Sequence, residues 1–209
     1  MSLAAGCPRC STPVAHHGAD GEVSCPEHGV VRALWRSAAP SYDEFMEHLE
    51  LADGMPTYLP WPLAPGWQVS DFAVAPGEAT LTVVTGTSDL DGAVEIVIVA
   101  EETGVGLGPR VAGTGAPRHG MWGEPPSARV RVEGQPVPLW PVSTLDGDDH
   151  DAEWDRSVLA GESAGRWLWL VVRPAAAVLL LQDDWALRDV SRLGMALVEV
   201  PFGGSATGW

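Results

Sequence analysis

Four residues near the start of the chain have the types and spacing of a metal-binding set. Cys7-Pro8-Arg9-Cys10 is answered by Cys25-Pro26-Glu27-His28, with 14 residues between the halves. This C-x2-C-x14-C-x2-H pattern is close to that of zinc ribbons, where two tight knuckles each give a pair of ligands to one tetrahedral ion. Two intervening residues let one turn place both side chains on the same metal while backbone N–H groups face the sulfurs. All three cysteines of the chain are consumed. The expected cofactor is one structural zinc ion on Cys7, Cys10, Cys25 and His28, with no open position for water. His16 and His17 lie between the knuckles, and the spacing selects His28 over them.

A second stretch, Glu101-Glu102-Thr103-Gly104-Val105-Gly106-Leu107-Gly108-Pro109-Arg110, puts alternate glycines after a strand end. A dinucleotide fingerprint needs G-x-G-x-x-G opening a helix, and a phosphate-binding P-loop needs a lysine, so neither pattern is met. The ligand-binding candidates here are Glu101, Glu102, Gly104, Gly106, Gly108 and Arg110, with Arg110 suited to an anionic group and a glutamate to a proton or hydroxyl. Adjacent residues on a strand point to opposite faces, so the two glutamates are not expected to converge on one substrate. A third cluster, Asp146, Asp148, Asp149, Asp151, Glu153 and Asp155, resembles a calcium loop only superficially. Counted from Asp146, the sixth and twelfth positions are Asp151 and Ser157 rather than glycine and glutamate, so a solvated acidic loop is expected.

The elements that must position these groups follow from hydropathy and turn signals. Residues 1–37 form the ribbon, a hairpin turning near Ala19-Asp20-Gly21, followed by a strand through Val30 to Trp35. Ser41-Tyr42-Asp43-Glu44 is a capping box, and Tyr42, Phe45, Met46 and Leu49 then make the apolar stripe of a short helix that stops at Gly54. The proline-rich segment from Leu59 to Trp67 must pack extended on the core. Strands over 68–75, 79–85 and 93–100 have short connections and so form an antiparallel meander. Residues 112–127 read as a long surface loop carrying Met121 and Trp122. Hairpins are expected over 128–132 with 136–142 and over 166–172 with 176–182. A second helix, capped by Asp183 or Asp184, runs to Leu193, and a closing strand spans 196–200. The fold class is α+β: a zinc ribbon (1–37), a mainly antiparallel sheet domain with two short helices (38–202) and a loose tail (203–209).

Composition excludes several functions. The 209 residues carry a net charge of -16, and all 12 basic residues are arginine. Within the first 36 residues Arg9, Arg32 and Arg36 are offset by Asp20, Glu22 and Glu27, so the ribbon lacks the basic patch that nucleic-acid binding requires. The most apolar run, Trp167 to Leu181, is broken by Arg173-Pro174 and is too short for a membrane helix. The first six residues lack the basic start and apolar run of a signal peptide. Zinc-binding thiolates require a reducing compartment, which points to the cytoplasm.

The segments CPRC, CPEHG, LPWPLAPGW, VAEETGVGLGPR, PLWPV, GRWLWLVV and LRDVSRLG, in this order, resemble an uncharacterised actinobacterial family of small proteins with an N-terminal zinc ribbon. The resemblance spans nearly the whole chain and implies that ribbon and sheet domain belong together; it implies no activity. The residues themselves carry no nucleophile motif and no second metal cluster. The expectation is a non-enzymatic cytoplasmic protein whose sheet domain binds a protein partner, with no nucleic acid or membrane involved. The alternative is a small-molecule enzyme or sensor with its pocket at the stretch from Glu101 to Arg110.

Overall fold

The computed structural model describes residues 3–17, 21–115, 125–143, 155–181, 185–206 and 208–209. Strand β1 (Ala4–Gly6) precedes Cys7, and β2 (Ala15–His17), β3 (Glu22–Cys25) and β4 (Gly29–Arg32) form a three-stranded antiparallel sheet over the stretch expected to be the ribbon. The hairpin turn expected at Ala19-Asp20 lies outside the described residues. After Ala33 the chain enters β5 (Leu34–Arg36), which pairs with β1 on one side and with the central sheet on the other. The ribbon is thus an excursion between two strands of the larger sheet.

Helix α1 (Tyr42–Leu51) starts at Ser41, whose hydroxyl accepts the backbone N–H of Glu44 at 3.3 Å. The reciprocal half of the capping box is replaced: the Glu44 carboxylate accepts from the Ser37 hydroxyl instead. Phe45 and His48 face inward from this helix. Strand β6 (Tyr58–Pro60) follows, then the meander β7 (Gln68–Ala75), β8 (Ala79–Ser88) and β9 (Gly92–Glu101), antiparallel throughout as expected. A six-residue helix α2 (Leu107–Ala112) sits at the end of the glycine stretch. Strands β10 (Ala128–Val132) and β11 (Gln135–Pro141) form the hairpin about Glu133-Gly134, and β12 (Ser157–Ser163) pairs with β13 (Arg166–Arg173).

The region after β13 departs from the sequence reading. Residues 175–180 form a 3-10 helix rather than a strand, because both edges of β13 are occupied, by β12 and by β9. The expected helix ending at Leu193 is instead β14 (Ala186–Asp189) and a 3-10 turn at Val190–Arg192, and 194–199 is a 3-10 helix rather than a closing strand. The candidate caps Asp183 and Asp184 lie outside the described residues, as do Met121, Trp122 and the acidic residues Asp146, Asp148, Asp149, Asp151 and Glu153.

Among the described residues the larger sheet has the order β1-β5-β7-β8-β9-β13-β12-β11-β10-β14-β6; β10 pairs with β14 in parallel, and an isolated parallel bridge joins Val69 to Phe202. It curls on itself: Thr80 and Thr82 of β8 donate hydroxyl hydrogen bonds to the carbonyls of Pro56 and Tyr58 beside the far edge strand β6. Alternate residues of the middle strands feed two cores. Ile96, Ile98, Leu168 and Leu170 point into the curl against Phe45, Leu59 and Leu187. Val97, Val99, Trp169 and Val171 point outward, where Leu107, Val111 and Leu34 cover them. Burial of both faces explains why β9 and β13 read as near-continuous apolar runs despite being antiparallel. The outer cover, built from α2 and the ribbon's exit strand, is what places the cysteine knuckles.

Candidate metal centre

The ribbon brings together the four residues named from spacing. One ligand atom from each of Cys7, Cys10, Cys25 and His28 lies within 4.8 Å of every other. Cys10 Sγ is 3.5 Å from Cys25 Sγ, and His28 Nδ1 is 3.6 Å from Cys25 Sγ and 3.7 Å from Cys7 Sγ. Bonds of about 2.3 Å to sulfur and about 2.0 Å to nitrogen give a tetrahedral site edges of about 3.5 to 3.8 Å. The three separations match these edges, and the set could hold a metal ion. The Arg9 amide approaches Cys7 Sγ at 3.4 Å, the knuckle contact that stabilises a thiolate.

Burial pushes the Cys7 thiol up to about 11, against the pull of the Arg9 and Cys10 amides. Cys25 lies below its ordinary value: burial works against this, but the amides of Glu27 and His28, and then the Cys10 and Cys7 thiols, overcome it. Cys7 therefore holds its proton more tightly than Cys25, and a metal ion held here would favour the thiolate form of its ligands.

The first knuckle is fastened to the sheet body through the glycine stretch. Arg9 donates from Nε to the Val105 carbonyl at 3.0 Å and from Nη2 to the Gly104 carbonyl at 2.7 Å. Arg110, at the far end of the stretch, donates from Nη1 to the Cys7 carbonyl. Burial lowers the affinity of the Arg110 guanidinium for its proton, and the nearby Cys7 and Cys10 sulfurs raise it. Two arginines thus bond across the joint in opposite directions, one from each side.

The other members of the stretch make contacts of their own. The Glu101 carboxylate is buried and its Oε2 accepts the backbone N–H groups of Leu107 at 2.7 Å and Gly108 at 3.2 Å, opening α2. Burial raises its pKa above the usual carboxylate range, and these amides, with the Trp169 indole nearby, pull it down. Gly106 has φ +88 and Arg9 Cγ packs where its Cβ would be, at 3.2 Å. At Gly108 a Cβ would lie 2.3 Å from Trp169 Nε1, so only glycine lets the helix reach the sheet. Glu102, one residue past the end of β9, pairs with Arg166 at 2.8 Å. A cleft of about 350 Å³ lies between β4 of the ribbon and residues 102–105; of the six candidates only Glu102 and Gly104 line it.

Trp209, in the segment read as a tail, closes over the same joint. Its indole donates to Asp71 Oδ2 at 3.0 Å, and the Arg36 and Arg110 guanidinium carbons lie 4.2 and 5.3 Å from its ring centre. Asp71 is 3% exposed and takes Arg36 as well. Sequence reasoning missed Arg9, Asp71 and Trp209, since each depends on a partner distant in the chain.

No curated protein and no solved structure matches the chain. The family model DUF6758, a family of unknown function, matches residues 1–208, and the chain belongs to that family.

Proposed function

We propose that this is a zinc-binding, non-enzymatic protein in which a Cys3His ribbon holds a structural ion and the body presents a surface to a protein partner. The observation that supports the reading is the convergence of the four side chains: one ligand atom from each lies within 4.8 Å of the others, and a structural zinc site takes four protein ligands with no open position for water. Three thiolates and one imidazole are the donor set that zinc takes in structural sites, and their upkeep calls for a reducing compartment such as the cytoplasm. Elemental analysis of gently purified protein tests the reading, with one zinc per chain expected. The reading fails if Cys25→Ala leaves both metal content and folding unchanged.

The second reading, a small-molecule enzyme or sensor at the glycine stretch, draws support from the cleft beside Glu102 and Gly104. Against it, Glu101, Gly106, Gly108 and Arg110 are committed to the capping and docking contacts described above. A small molecule retained through gentle purification and displaced by Glu102→Gln would bring this reading forward.

A further inference from the structure

Beyond β12 the outer face of the large sheet changes character. Over β9 and β13 that face carries Val97, Val99, Trp169 and Val171 beneath Leu107, Val111 and Leu34. Trp169 is opposite Ala160 of β12, and Ala160 is opposite Trp140 of β11. Partners in a ladder share a face and residues alternate along a strand, so the outer face runs on through Pro138 and Pro136 of β11 to their partners in β10, Arg129 and Arg131. Val130 and Val132, which alternate with these arginines, are buried on the inner side. In the parallel pairing Arg131 is level with Ala186 of β14, and Arg188 stands two residues further along the same side, with Leu187 buried between.

Arg129, Arg131 and Arg188 are all exposed. The chain has a net charge of -16, and Arg32, Arg36, Arg156, Arg166 and Arg173 each pair with a carboxylate; these three meet none among the described residues. The acidic residues nearest them in sequence are engaged elsewhere: Glu133 accepts the Asp189 N–H at 2.7 Å, and Asp189 accepts from Thr57 and Ser191. Glu162, on the outer side of β12, stands two strand spacings from Arg129, at least about 10 Å.

A guanidinium offers a planar fork that takes a carboxylate through two N–H bonds. Arg129 and Arg131 are two residues apart on one strand, roughly 7 Å, which is also the spacing of alternate side chains in an extended peptide. Pro136, Pro138 and Trp140 on the neighbouring strand extend the stripe with apolar surface, and arginine beside tryptophan is a composition that binding surfaces favour. We propose that the outer face of β10 and β14 docks an extended acidic segment of a partner protein, in which aspartate or glutamate recurs at every second position. Its carboxylates pair with Arg129, Arg131 and Arg188. Nucleic acid is the less favoured anion, because a chain of net charge -16 repels a long phosphate backbone over its whole surface, whereas a short segment meets only the local arginines. This deepens the partner-binding reading and rests on it, while using the sheet body and not the cysteine cluster.

The test is a titration of the full 15N-labelled chain with acetyl-Glu-Ser-Glu-Ser-Glu-amide, its lysine counterpart and an oligothymidylate single strand, with zinc content measured on the same sample. The glutamate peptide should shift the amides of β10 and β14, bind about tenfold more tightly than the lysine peptide, and weaken as salt is raised. Arg129→Gln combined with Arg131→Gln should weaken it about tenfold at unchanged zinc content and thermal stability, since neither side chain has an ion pair to lose. Arg32→Gln removes a charge from the ribbon instead and should leave binding within about twofold. Equal affinity for the two peptides, or affinity that survives the double variant, overturns the proposal. So does oligothymidylate binding at β10 and β14 more tightly than the glutamate peptide, which makes the stripe a nucleic-acid site. Should the double variant unfold, the peptide comparison and the salt dependence of the wild-type chain still decide. Absence of peptide binding by a chain that holds zinc overturns the docking surface and leaves the ribbon reading standing; peptide binding by a chain that holds none does the reverse.

Discussion

The guanidinium of Arg110 donates to the backbone carbonyl of Cys7, 103 positions away, so a metal knuckle and a glycine-rich stretch that look independent in the sequence form one joint. Arg9 returns the contact by donating to the carbonyls of Gly104 and Val105. The stretch reads as a ligand cradle only while its occupant is unknown, and in the folded chain the ribbon occupies it.

Removing one side of this joint should loosen it without emptying the cluster. A hydrogen bond from a charged donor contributes about 1.5 to 3 kcal/mol. Arg110→Ala is expected to lower stability in urea by that amount and to speed zinc loss to a chelator, while zinc content at rest stays unchanged.

Glu101 should behave as a cap and not as an acid or base. Glu101→Ala strands two buried amides, those of Leu107 and Gly108, at a cost of about 1 to 3 kcal/mol each before relaxation. Glu101→Gln keeps an acceptor oxygen and should lose less than half as much. Thermal unfolding of the two variants distinguishes a cap, for which this order holds, from a general base, for which both substitutions are equivalent.

His48 makes stability depend on pH. It is fully buried, stacks on Phe45 with ring centres 5.5 Å apart, and its pKa is lowered from 6.5 to about 3 by desolvation. The unfolded chain therefore binds this proton first as pH falls, so the stability tied to neutral His48 is complete above pH 6.5 and is lost on the way down toward 3. The slope is about 1.4 kcal/mol per pH unit, or about 2 kcal/mol by pH 5. Glu101, with its raised pKa, contributes in the opposite direction, since the folded state holds its proton more tightly. Comparison with His48→Leu isolates the histidine: that variant should show a flatter stability profile between pH 6.5 and 5.

How much of this was legible in the sequence depended on how local each signal is. The two C-x2-C and C-x2-H halves, the Ser41 cap and the turns of the meander are each written within a few residues; the structure brings the four cysteine and histidine side chains together and forms the cap and the meander. The last third was misread because its local pattern is ambiguous. Ala175–Leu180 is apolar enough for a strand, but the slot beside β13 is taken by β12. Strand β12 itself escaped notice because Gly161 and Glu162 interrupt it. Gly161 is there for packing: a Cβ would lie 2.4 Å from the Pro138 carbonyl oxygen of the neighbouring strand. The threefold spacing of Leu187, Val190 and Leu193 mimics a helix, yet Leu187 lies in a strand and Val190 in the turn after it. The docking role of Arg9 carries no local mark, because its partners lie 95 and 96 positions away.

The central claim is that Cys7, Cys10, Cys25 and His28 enclose a structural zinc ion on which the ribbon depends. Native mass spectrometry of protein purified without added metal addresses it directly, alongside Cys25→Ala. The account predicts a mass equal to one chain, or a whole number of chains, with one zinc per chain. It predicts in addition that Cys25→Ala loses the ion, with fast hydrogen exchange across β2 to β4 while β8, β9 and β13 stay protected. A metal-free mass for the wild-type chain, with slow exchange across the ribbon, would contradict it.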